Sequence, residues 1–252
     1  MANNVVLRKF TAPAGSPAEL GRMYAQPAYR AMTLDDVVQR VAAMFAVLLT
    51  AGALAWVLTP EATSGPVVAV AALAGVGLGL YMSFTARANA ATALAYAAFE
   101  GVLLGAVSRM FNAAYPGVVV QAVTGTVMVA GGMLVVYKTG SLRVTPKFTK
   151  MVVAGTLGVF GLMLVNLVAY LFTPAGLGLR NGGPLAVVFS VVCIALAALN
   201  LVMDFDRIER AVASGRDARQ AWYPAFALTV TLIWLYLEIL RLLSYFNGGG
   251  RR

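Results

Sequence analysis

The sequence predicts an all-α membrane protein, a bundle of seven transmembrane helices. Three observations lead there. Of 252 residues, 60% are hydrophobic and 12% charged, with a mean hydropathy of +0.81, whereas soluble domains carry about 25% charged residues. The apolar residues are gathered into seven runs, each able to supply the roughly 20 helical residues that span a hydrocarbon core. The charges fall in the gaps, and unevenly: with alternate gaps counted together, fourteen of the nineteen Lys and Arg lie on one side. That bias puts the N-terminus in the cytoplasm and the C-terminus outside, with an odd number of spans between.

Residues 1–32 hold no apolar stretch of signal-peptide type and are rich in Ala, Pro, Gly and scattered Arg, so they read as a flexible cytoplasmic tail. Thr33-Leu-Asp35-Asp36 supplies an N-cap with acids in the first turn. The spans then fall at 37–58, 66–85, 89–110, 117–137, 151–172, 184–206 and 222–246, one domain over 33–246 with a short tail at 247–252. Connections such as Arg87 to Asn89 and Phe111 to Pro116 are too short for anything but antiparallel neighbours. Gly75-Val-Gly77-Leu-Gly79 superficially resembles a phosphate loop, but it sits inside an apolar run with no strand before it. Gly75 with Gly79, and Gly101 with Gly105, are instead spaced to let helices approach closely.

Histidine is absent and cysteine occurs once, at Cys193. That excludes histidine-ligated zinc or haem, a histidine proton relay and an intramolecular disulfide. The net charge of +9 is topology bias rather than a nucleic-acid stripe. Carboxylates are left as the titrating groups. Six of the ten acids fall in tails, loops or helix ends; Glu100, Asp204, Asp206 and Glu238 fall within the runs. A charge at mid-membrane costs roughly 3 kcal/mol by insertion scales, so it persists beside water, a partner or an ion.

On the sixth run Ser190, Cys193, Ala197, Asn200 and Asp204 recur at spacings of three and four and share a face. Thr231, Trp234, Glu238 and Arg241 do so on the seventh, and Thr92, Tyr96 and Glu100 on the third. Three such stripes turned inward would line a hydrated path. Plainer readings stand beside this one. Asp204, Glu238, Glu100, Asp206 and Asn200 are the candidate pathway groups, though Asp206 with Arg210 reads more simply as a surface ion pair; Asp204 has Arg207 and Glu238 has Arg241 at i,i+3; a protonated Glu100 would hydrogen-bond a neighbouring helix. Two carboxyls brought close in a low-dielectric bundle cannot both ionise cheaply and share a proton. Ionised, Asp204 and Glu238 are the groups to contact a hard cation such as calcium. At 1.5 Å per residue Glu238 lies about 22 Å beyond Tyr223, while Asp204 lies near the inner surface, so their contact is left to tertiary structure.

A sixth span ending Met-Asp204-Phe-Asp206-Arg-Ile208 and a seventh reading Leu-Tyr-Leu-Glu238-Ile-Leu-Arg-Leu-Leu resemble the Bax inhibitor-1 (transmembrane Bax inhibitor motif) family in its bacterial branch. Tyr170-Leu-Phe-Thr-Pro174 and Gly101-Val-Leu-Leu-Gly105 are similar too, and the likeness covers about Thr33 to Phe246. The resemblance implies six helices around a central C-terminal one, and a pH-dependent calcium leak governed by an acid pair on the sixth and seventh helices. By motif position that pair falls on Asp204 and Glu238, with glutamate where the family has a second aspartate. It also implies an arginine from the end of the second helix beside the pair, for which Arg87 is the match.

The leading expectation is a pH-sensitive cation leak, with calcium or protons as permeant ions and no resident cofactor, in a bacterial inner membrane. The alternative is a non-transporting membrane protein that binds and modulates other membrane proteins, such as a quality-control protease. No enzyme is expected: there is no histidine base, and no aspartate sits in a Gly-x-Gly-Asp protease context.

Overall fold

The computed structural model describes residues 30–59, 64–174 and 176–249. Among these residues, seven helices are long and apolar enough to cross a membrane. They are α1 (Leu34–Leu58), α2 (Ser64–Thr85), α3 (Ala90–Ala114), α4 (Val118–Lys138), α5 (Pro146–Ala169), α6 (Pro184–Ala213) and α7 (Trp222–Gly249), with a 3-10 turn, Ala218–Ala221, leading into α7. The all-α seven-helix bundle expected from the sequence is borne out. Of the tail expected over 1–32, residues 1–29 lie outside those described. The tail expected at 247–252 begins later, because α7 continues through Asn247 to Gly249.

Helix ends follow capping chemistry rather than the edges of apolar runs. α1 begins at Leu34 because Thr33 and Asp36 form a capping box, the Asp36 carboxylate accepting the Thr33 N–H at 2.9 Å. α5 starts five residues before its apolar run, where Thr145 caps and Pro146 takes the first turn. α6 runs past Asp206 to Ala213, which at 1.5 Å per residue makes it about 45 Å long, beyond the roughly 30 Å hydrocarbon core. The backbone before α1 docks on the turn after α6, with Met32 N–H donating to the Arg216 carbonyl at 2.6 Å.

The tightest seam is between α1 and α3. A Cβ on Gly105 would run into the Gly52 backbone, and one on Gly101 into the Leu48 carbonyl and the Ala51 Cβ. Only glycine permits this approach. α7 is the most enclosed helix, with half of its apolar window buried against 11% for α4. It packs on α6, α4, α1 and α3, while α2 leans on α3 and α5 chiefly on α6. The six are thus not a closed ring. α4 follows α3 by a short turn, yet it packs mainly on α7 and α6 and leaves a gap toward α1.

Candidate functional site

The seam between α6 and α7 carries two buried carboxylates at two levels. Asp204, 3% exposed, accepts the Thr231 hydroxyl from α7 at 2.6 Å and the Arg207 guanidinium at 3.2 Å. Arg207 is 52% exposed, so its stem lies along the helix while its head reaches the surface. Glu238, 1% exposed, accepts both Arg180 terminal nitrogens, at 3.0 and 3.3 Å, and Arg241 at 3.0 Å. Two guanidiniums on one carboxylate leave a buried cluster with net positive charge.

These two sites do not meet. Asp204 faces Thr231, two turns before Glu238 on α7, so the acids are separated by about 10 Å along the helix axis. The acid pair implied by the resemblance is therefore replaced by two stations, each neutralised by arginine. Among the described residues no three acidic or cysteine side chains converge as a metal cage.

Arg87, expected beside the acids, is exposed in the turn between α2 and α3 and bonds neither carboxylate. Arg207 and Arg180 take that place. Arg241 pairs with Glu238 as its spacing indicated. Asp206 pairs with Arg210, which is 67% exposed, on the outward side of α6, as the surface reading had it. Asn200 turns from the Asp204 face toward α5, donating to Thr156 at 2.8 Å and to the Leu196 carbonyl at 2.9 Å. An amide with two such partners is a bridge between helices.

Glu100 is buried, but against α2: a Cβ on Gly75 would stand 2.7 Å from its Oε1. Tyr96, on the same face, packs edge-on against Phe226 of α7 with ring centroids 5.0 Å apart. The three stripes thus do not line one path. The α6 and α7 stripes share a seam, while Glu100 looks away from it.

Arg180 was legible only as one charge on the C-terminal side. It comes from the α5–α6 connection, which is folded onto the bundle: Asn166, buried on α5, accepts the Leu177 N–H at 2.9 Å, and Tyr170 donates to Asn181 at 3.2 Å. Its guanidinium lies 5.5 Å over the Phe189 ring and reaches the Met163 sulfur at 3.3 Å. The one signal available in the sequence was a lone charge in the run from Ala175 to Gly183, close before a span.

Fold and site together define a polytopic integral membrane protein with two arginine-neutralised acids on the seam between its central helix and α6. The chain belongs to the family described as Bax inhibitor 1 like, which it matches over residues 6–248. No curated protein matches it significantly.

Proposed function

We propose that this protein is a pH-sensitive cation leak, with calcium as a permeant ion, whose conducting state is released by protonation of Glu238 and Asp204. The observation that carries the reading is the burial of both acids on one seam, each clamped by arginine across or along helices. An ionised Glu238 attracts Arg180 and so ties the α5–α6 connection to α7. Protonation removes that attraction and frees two guanidiniums in a low-dielectric site, which favours separation of the elements carrying them. At the other level an ionised Asp204 accepts the Thr231 hydroxyl of α7 in a charge-assisted bond, which protonation weakens. Flux is therefore expected to rise as pH falls. Lysine and arginine placement supports an N-terminus inside, in what this reading takes to be a bacterial inner membrane. Neither resident cofactor nor catalysis enters this reading.

The test is calcium flux into proteoliposomes across a pH series, with Glu238→Gln and Asp204→Asn beside the intact protein. The expected result is acid-stimulated flux that either neutral amide renders independent of pH. No calcium passage at any pH would sink the leak and leave the alternative, a membrane protein acting by binding others. Pulldown of a membrane protease that survives both substitutions would then support it.

A further inference from the structure

The gap between α1 and α4 is a groove of ≈ 750 Å³. Its walls are bulky and apolar: Phe45, Leu49 and Trp56 on α1 face Val123, Val127 and Leu134 on α4. Its floor is the α1–α3 seam with Ser108 of α3 and Tyr236 of α7. The hydroxyls on the lining are already used. Ser108 and Tyr236 bond each other at 2.6 Å, and Thr126 donates to the Ala122 carbonyl at 2.8 Å. Such a groove offers those hydroxyls to no polar ligand, and favours methylene chains.

Its dimensions and its mouth narrow the occupant. From Val119 to Leu134 it follows α4 for roughly 22 Å, enough to take in the whole hydrocarbon depth of one leaflet, about 15 Å. Membrane helices meet where small residues let backbones approach, but here Gly52, Gly101 and Gly105 are spent on the α1–α3 contact, which leaves Gly131 as the one open glycine on the lining. At the end marked by Trp56 and Val57 stands Arg109, next to the floor residue Ser108. Its Nη1 donates to the Trp56 carbonyl at 3.0 Å and to that of Thr59. Among the described residues no acid pairs with it, and its remaining donors suit an oxyanion.

We propose that this groove holds one acyl chain of a phospholipid from the leaflet on the Arg109 side, whose anionic headgroup is taken by Arg109. A tryptophan at the mouth fits that level, where headgroups meet hydrocarbon. The chain lies against the flank of α7, so the lipid is a structural ligand of the bundle, independent of the leak reading.

Native mass spectrometry of the full chain, released from micelles with phosphatidylglycerol or phosphatidylcholine of identical chains, tests this. One lipid per protein is expected, with phosphatidylglycerol favoured about five-fold, the weight of one basic residue near an anionic surface. Val123→Trp, on a half-exposed wall position, should abolish both adducts while circular dichroism shows the helices intact. Arg109→Gln should keep the adduct and erase the preference, and Arg109→Lys should retain it. Loss of preference in Arg109→Lys as well as in Arg109→Gln would overturn the charge argument. Absence of any adduct, or one indifferent to Val123→Trp, would overturn the proposal, as would a dimer that Val123→Trp dissolves, since a second copy would then be the occupant.

Discussion

Removing one member of a buried ion pair leaves the other charge unsolvated and costs about 3–5 kcal/mol, whereas replacing both by apolar residues is often neutral. Glu238 and Arg180 are 2% and 17% exposed at their side chains, so that asymmetry applies. Glu238→Leu is expected to lower the melting temperature sharply in detergent, and adding Arg180→Met to recover a substantial part of the loss. Simple additivity of the two variants would show that the pair does not couple. Asp206 is the contrast: its partner Arg210 is mostly in solvent, and Asp206→Ala should change stability by no more than about 0.5 kcal/mol. Between them stands Thr231, whose hydroxyl is one of two groups holding Asp204. Thr231→Val keeps the shape, removes the bond, and should cost about 1–3 kcal/mol, with a shifted pH response of flux.

Helices that look alike in sequence pack by different means. Gly101-xxx-Gly105 brings backbones together, so Gly105→Leu should force α1 from α3 and prevent recovery of folded protein, or cost more than about 3 kcal/mol where it folds. Gly75-xxx-Gly79 instead receives side chains, with Glu100 at Gly75 and the Tyr96 ring 3.4 Å from where a Cβ of Gly79 would be. Gly77 between them meets nothing within 4 Å, and Gly77→Ala should leave the melting temperature unchanged or raised, by up to about 1 kcal/mol of helix propensity. A thermal melt of these two variants separates the readings. α6 gives the matching lesson in length: the apolar run ended at Asp206, but the helix continues as far as Ala213, with Ile208 still buried, and Ser214 and Gly215 close it.

Over the whole molecule the arrangement is asymmetric. α7 is embraced by four helices, α2 and α5 stand at the rim, and one flank opens between α1 and α4. Cys193, the sole cysteine, is buried on α6. It should resist maleimide in the folded protein and react on denaturation. In a Cys193→Ala background, single cysteines at Gly140 and Gly182 should be labelled from opposite sides of a sealed vesicle, since an odd number of spans separates them. Labelling of both from one side would overturn the seven-span topology.

The sequence by itself determined the number of spans, their order, and the residues worth watching, because membrane insertion is decided segment by segment on hydropathy and a carboxylate in an apolar run stands out against that background. It also determined that Asp206 sits one turn from Arg210 and Glu238 one turn from Arg241, both consequences of helical spacing. Only tertiary structure decided which acids meet. Two helices joined by a turn are free to slide along each other by a turn or more, and that register set Asp204 against Thr231 rather than Glu238. The same holds for Arg180, whose 58-residue separation from Glu238 leaves no periodic trace, and for Glu100, whose side chain faces α2, where Gly75 makes room for it.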